Sequence, residues 1–247
     1  MIDALYQSDS YLRTADLPLV GMHDDGVLVK RSVFYPQGGG QPGDQGKLEL
    51  ASGDMLPVHT TRYGPDRDSV LLVLRKGDDP LPEALKEVSV GDTMTGHIDW
   101  AQRYSFMRVH TALHLLSVVL PYPVTGGQIG DGEGRLDFDI ADGPLDKTAL
   151  TEQLQALVEG DHPVDQDWIT DAELDAQPDL VKTMSVKPPR GAGKVRLVRI
   201  GDVDLQPCGG THVQSTAEIG AVEVRKIENK GKQNRRVRIR LSSEDAV

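Results

Sequence analysis

The sequence predicts an α+β protein of two domains, and three observations predict it. Up to about residue 98 the chain runs in β-branched segments separated by glycine-bearing turns. Directly after Asp99-Trp100 the apolar spacing changes to the 3.6-residue period of a helix. From there to the C-terminus, helical and strand-like segments are mixed. The compositional change near residue 95 sets the domain boundary, giving 1–95 and 96–247. A chain of 247 residues suffices for one large domain or two small ones and buries enough surface to fold without cross-links. Its single cysteine, Cys208, excludes an intrachain disulfide. That fits a reducing, cytoplasmic setting and excludes a secreted disulfide scaffold.

Residues 27–34 and 70–74 are β-branched runs and read as strands, and 93–98 reads as a third, introduced by a turn at Gly91-Asp92. Between the first two lies a stretch, 35–46, with five glycines in twelve residues, which neither a helix nor a strand would hold. It is either a flexible hairpin connection or a backbone-lined wall. In the second case the missing side chains let main-chain N–H groups approach a ligand, and Gly38, Gly39, Gly40 and Gln41 are the substrate contacts. In the helix after Asp99-Trp100, Phe106, Val109, Leu113 and Leu116 share a face and Pro121 ends the element. Residues 122–140 read as a turn and a hairpin bent at Asp131-Gly132-Glu133-Gly134. A second helix fits 146–159, capped by Asp146, with Leu150, Leu154, Leu157 and Val158 on one face. A strand at 164–169, a short helix at 171–176 and a loop at 187–193 follow. Strands at 194–200, 219–227 and 235–241 complete the chain.

The formal net charge is −11, which by itself argues against a polyanionic partner. Residues 225–240, however, hold eight Lys and Arg against Glu228 alone, a local +7 that leaves −18 for the remainder. In Arg236-Val237-Arg238-Ile239-Arg240-Leu241 the alternation puts three arginines on one face and three apolar residues on the other. A strand with its back in the core aims those guanidinium groups one way, although a merely solvated charged strand has the same pattern. No apolar run approaches 18 residues, so no transmembrane helix is expected. The N-terminal residues lack a basic segment followed by an apolar stretch, so no secretory leader is expected.

Two short motifs carry the chemistry. His110-Thr111-Ala112-Leu113-His114 sits inside the first helix, where residues four apart share a face. Cys208-Gly209-Gly210-Thr211-His212 repeats the four-residue spacing with the only thiol. Together they supply three nitrogens and one sulfur, a donor set suited to Zn²⁺. Each motif alone has an ordinary explanation, since helical histidine pairs often bind nothing and a lone cysteine is often a small buried hydrophobe. The glycines and Pro207 around Cys208 favour a loop. His23, His59, His97 and His162 show no such pairing and read as surface or core residues. Thr111 occupies the position where a zinc protease carries its glutamate, so that arrangement is absent. Four protein ligands could close the shell and make the ion structural. A weakly held ligand would instead admit water or substrate. A thiol hydrolase, with Cys208 as nucleophile and a histidine as base, is the rival enzyme reading.

The pairing of these two motifs resembles the editing domain of alanyl-tRNA synthetases and its free-standing AlaX-type relatives. The resemblance extends over most of the chain. Asp9-Ser10-Tyr11-Leu12 resembles the family's opening strand, and 34–44 its glycine-rich motif. Asp99-Trp100 with Arg103, Met107 and Arg108 resembles the lead-in to the metal helix. Gly127-Gln128-Ile129-Gly130 and Arg135-Leu136-Asp137-Phe138 resemble the segments behind the pocket, and 231–236 the basic stretch near the C-terminus. The resemblance implies a medium-length, two-domain member: a small β-barrel of translation-factor type, then an α+β editing domain shared with threonyl-tRNA synthetase. It implies a free-standing cytoplasmic hydrolase that deacylates Ser-tRNA(Ala), with Gly-tRNA(Ala) as second candidate. One Zn²⁺ would be held by His110, His114, Cys208 and His212. A pocket sized for alanine discriminates weakly against an added hydroxyl. A second site that hydrogen-bonds the hydroxyl can reject alanine instead. Thr125 and Gln128 are the candidate serine readers, with ordinary hairpin hydrogen bonding as the alternative for both. Lys232, Arg235 and Arg236 are the candidate phosphate contacts. A monomer is expected, with no DNA or membrane partner, and the remaining alternative is a non-catalytic tRNA-binding module with a structural zinc.

Overall fold

The computed structural model describes residues 2–140, 143–182, 193–231 and 233–242. The chain divides into two compact units, Met1–Tyr104 and Ser105–Val247. The first opens with β1 (Asp3–Ala4) and the single turn α1 (Leu5–Ser8). Then come β2 (Thr14–His23), β3 (Gly26–Val29), β4 (Arg31–Ser32), β5 (Gly46–Glu49), β6 (Met55–Val58), β7 (Thr60–Tyr63), β8 (Val70–Val73) and β9 (Thr93–Ile98). β1 and β4 form a short parallel pair. The other seven strands form one antiparallel sheet in the order β6-β5-β9-β2-β3-β8-β7.

The sequence of that sheet dictates its shape. Its two edge strands, β6 and β7, are joined by one residue, His59. Laid flat, seven strands spaced about 4.8 Å apart would hold their edges about 29 Å apart. The link from the last residue of β6 to the first of β7 spans at most about 7 Å. The sheet therefore curls until its edges approach, which makes a nearly closed, barrel-like layer around Leu17, Leu19, Val27, Val29, Phe34, Leu48, Leu72 and Met94. β2 carries the bend. Its first half, through Pro18, pairs with β9, and its second half, from Leu19, pairs with β3 across a bulge between Leu19 and Gly21.

Three sequence expectations for this unit are modified. The run 27–34 leaves the ladder after Val29, although Val33 and Phe34 stay fully buried. The Ser32 hydroxyl takes over there, accepting from Phe34 N–H and donating to Phe34 C=O. Residues 9–12, matched to an opening strand, form a turn in which the Asp9 carboxylate accepts Tyr11 N–H at 2.8 Å. The boundary lies at 104/105 rather than near 95. Arg103 explains the shift, because its fully buried guanidinium donates to the Asp44 carboxylate, Ser10 C=O and Val33 C=O, all in the first unit.

The helix α2 (Trp100–Val119) leads into the second unit, which continues with β10 (Val124–Ile129), β11 (Glu133–Asp139), α3 (Lys147–Glu159) and β12 (Val164–Ile169). Then come α4 (Asp171–Asp175), β13 (Val195–Ile200), β14 (Asp204–Pro207), β15 (Val222–Asn229) and β16 (Asn234–Leu241). They form two sheets, β10-β11-β16-β15 and β12-β13-β14. One face of the four-stranded sheet is the core side, with Ile129, Phe138, Val224, Val237, Ile239 and Leu241 buried. α2 packs there. A Cβ on Gly134 would stand 2.7 Å from Val109 and 3.1 Å from Leu113, so the glycine lets the helix close on the sheet. Asp146 caps α3 by accepting from Thr148 and Ala149 N–H. α3 then seals the edge strand β15, since Thr151 and Gln155 accept its Val224 and Val222 N–H groups. The strand expected at 219–227 begins only at Val222, because a Ser215-capped turn, Thr216–Ile219, and Gly220 precede it. Apart from Gly193, the loop expected at 187–193 lies outside the described residues. No helix among the described residues is long and apolar enough to cross a membrane.

Candidate metal centre

The spacing in α2 brings His110 and His114 to one side of the helix, and the turn after β14 brings Cys208 and His212 to meet them. One ligand atom from each of the four residues falls within 4.8 Å of every other. Cys208 Sγ lies 3.5 Å from His110 Nε2 and 3.3 Å from His212 Nε2. A tetrahedral zinc, with bonds of about 2.0–2.3 Å, keeps its donors roughly 3.5 Å apart. The donor set and its spacing therefore fit Zn²⁺. The three histidines are buried, and Cys208 is partly exposed as a residue.

Residues behind the donors hold them in place. His114 Nδ1 lies 3.1 Å from the Asp204 carboxylate, which also accepts from Lys182 at 2.6 Å and Gln206 at 2.7 Å. Burial would raise the Asp204 carboxyl, but the hydrogen bond from His114 and those from Lys182 and Gln206 hold it at about 2. Burial works the other way on His114, and its bonds to Asp204 and Cys208 outweigh it, raising the ring to about 9. Burial and the neighbouring His110 keep His212 well below the ordinary imidazole range, hence neutral. Burial disfavours the Cys208 thiolate, yet the His110 and His212 rings hold its pKa well below the usual thiol range.

The loop itself is seated by Arg196 on β13. Its guanidinium donates to Cys208 C=O at 3.1 Å and Gly210 C=O at 2.8 Å, and Gln166 accepts its Nε–H at 2.8 Å. Within the loop, Gly210 N–H donates to Cys208 Sγ at 3.4 Å. Thr111, whose hydroxyl lies 3.1 Å from His212 Nδ1, Asp204 and Arg196 are parts of the site that the motifs did not announce. Thr111 is the one whose position, inside the histidine motif, offered a signal.

The other candidate residues belong to other elements. Thr125 donates to Asp137 C=O and accepts from Asn234. Gln128 is exposed and accepts from Arg135. Gln128, Arg135 and Arg238 are directly opposite one another across three strands, in a row facing away from the α2 side of the sheet. Arg236 and Arg238 emerge on that same outer face, whereas Arg235 shares the parity of Val237 and Ile239 and leaves on the other. The outer cations are met by acids. Arg236 makes a two-bond pair with Asp137, which also binds Arg135, and Glu228 binds Lys226 and Arg238. Lys232 lies outside the described residues.

In the first unit, Gly38 and Gln41 exchange two main-chain hydrogen bonds across a tight turn. Gly39 and Gly40 occupy it with φ of +56° and +87°, a conformation that glycine adopts without strain. Gly39 and Gly40 are exposed, whereas Gln41 is buried. Tyr35, Asp44 and Thr61 tie the base of this hairpin together.

A family model described as the threonyl and alanyl tRNA synthetase second additional domain matches residues 195–238. The chain is 32% identical over 245 residues to an alanyl-tRNA editing protein, AlaX-M, of Methanosarcina acetivorans, covering 96% of this chain and 98% of that protein. It is 33% identical, with the same coverage, to AlaX-M of Methanosarcina barkeri. It is also 31% identical to part of an alanine–tRNA ligase of Pyrobaculum neutrophilum, covering 91% of this chain and 25% of the ligase.

Proposed function

The chain belongs to the alanyl-tRNA editing protein family, and from that premise we propose that it hydrolyses the ester of mischarged tRNA(Ala) with the help of a bound Zn²⁺. Serine is the proposed aminoacyl group and glycine the second. The observation that carries the reading is the convergence of His110, His114, Cys208 and His212, from segments nearly a hundred residues apart, at zinc-compatible spacing. Held there, the ion would supply Lewis-acid polarisation of a carbonyl or a water of lowered pKa. In the reaction, water oxygen bonds to the ester carbon, the bond to the ribose oxygen breaks, and that oxygen leaves with a proton as the free hydroxyl. His114, backed by Asp204, and His212, backed by Thr111, are the fixed donors of the set.

We assign the outer face of β10-β11-β16-β15, which carries Arg236 and Arg238, to the tRNA backbone; Lys232 and Arg235 are kept as phosphate contacts from the sequence alone. On this placement Gln128 belongs with that tRNA-facing strip rather than with a serine-reading wall. The barrel-like first unit is the proposed translation-factor-type domain, and the exposed turn at Gly39 and Gly40 its proposed substrate contact. One observation favours a second reading, a tRNA-binding module with structural zinc: four protein donors suffice to fill a tetrahedral shell. Deacylation of Ser-, Gly- and Ala-tRNA(Ala), with metal content measured on the same sample, separates the two. Zinc-dependent loss of serine is expected with Ala-tRNA(Ala) spared. Zinc binding without hydrolysis would leave the module.

A further inference from the structure

We infer that Thr111 is a positioning residue for His212, fixing which ring nitrogen faces the metal position; this rests on the zinc-dependent reading above. The argument follows one proton. Thr111 Oγ lies 3.0 Å from Met107 C=O, one turn earlier in α2. We place the single hydroxyl proton toward this carbonyl, which can only accept, rather than toward the ring. The oxygen is left with lone pairs alone, and His212 Nδ1 stands 3.1 Å away. Two lone pairs facing each other at that distance repel, so Nδ1 carries the ring proton and Nε2 carries the lone pair. Nε2 is the atom that lies 3.3 Å from Cys208 Sγ, inside the donor cluster.

The surroundings enforce the choice. Thr111 is fully buried, which keeps exchanging solvent away from the bond. Val213 N–H also donates to its oxygen at 3.4 Å, a second donor that the hydroxyl must receive rather than compete with. His114 receives the same service from Asp204 at its own Nδ1. The two helical and loop imidazoles thus present the same nitrogen, one held by a carboxylate and the other by a neutral hydroxyl. Outer partners of this kind set ring orientation and ligand strength. A valine at 111 would keep the shape and remove the acceptor, and a serine would restore it.

The test is Zn²⁺ affinity by competition with a chromogenic chelator for wild type, Thr111→Val and Thr111→Ser. It is joined by NMR of the imidazole nitrogens in zinc-loaded wild type. Thr111→Val is expected to bind Zn²⁺ about tenfold or more weakly, and Thr111→Ser within about threefold of wild type. The NMR should show His212 with a proton on Nδ1 and Nε2 ligating. A Thr111→Val protein that holds zinc as tightly as wild type, or a proton found on Nε2, overturns the assignment. If Thr111→Val does not fold, the serine variant and the NMR decide. If wild type itself binds no zinc, the metal-dependent reading fails and takes this one with it. Tight wild-type binding with an indifferent valine variant removes Thr111 alone.

Discussion

Two glycine-bearing loops, one in each unit, are each held by a buried arginine, and they use it differently. Arg103 grips 35–46 through an ionised side chain, Asp44, with both partners almost wholly excluded from solvent. Its remaining bonds go to the main chain at Ser10 and Val33. Arg196 grips the Cys208 loop through main-chain carbonyls and Gln166. In the first loop the exposed tip offers backbone, at Gly39 and Gly40. In the second the loop offers side chains, a thiol and an imidazole. A guanidinium paired to a buried carboxylate locks a fold. A guanidinium that collects carbonyls aims whatever the loop carries.

The largest effect should come from breaking the first clamp. Arg103→Met leaves the Asp44 carboxylate buried and unpaired, which costs about 3–5 kcal/mol in comparable cases. Chemical denaturation should show that loss, with zinc content per folded molecule unchanged. Arg196→Met removes donors from two carbonyls and an amide, a loss of about 1–3 kcal/mol, and here zinc content should fall as well. Equal zinc loss in both variants would erase the distinction between lock and aiming device. Gly40→Ala places a side chain at φ +87° and should cost about 1 kcal/mol. A drop in deacylation far beyond that loss would sharpen the reading of the tip as a substrate contact.

The smallest effect concerns the outer sheet face. Burial works against the Asp137 carboxylate, but Arg236 and Arg135 outweigh it and hold its pKa below the usual range. A carboxyl whose folded pKa is depressed contributes fully above its unfolded value of about 4 and loses that contribution as pH falls through the folded one. Stability of wild type should therefore bend downward below about pH 4, and Asp137→Asn should lack that component. Identical acid limbs for the two proteins would show the pair to be without consequence.

What the sequence disclosed depended on range. The helices α2 and α3 were legible because their apolar periods are long and Asp146 and Pro121 mark their ends. The four metal donors were legible because thiol and imidazole at four-residue spacing are chemically unusual. β2 was hidden because Pro18 interrupts a run that the sheet tolerates only at its bend. β5, β6 and β7 have four residues each, too short to establish a period. The barrel-like closure depends on which strands become edges, and the orientation of Gln128 on register, neither of which is local. Arg196 and Asp204 meet the donors only through folding, so their residue types alone could not reveal them.

The central claim is that His110, His114, Cys208 and His212 hold one zinc on which ester hydrolysis depends. Its most direct test measures zinc content and Ser-tRNA(Ala) deacylation on the same preparations of wild type and Cys208→Ala, before and after chelation and zinc return. The account predicts about one zinc per wild-type chain, parallel loss of metal and activity in the variant and on chelation, and recovery of wild type alone on readdition. Full activity in a zinc-free protein would contradict it.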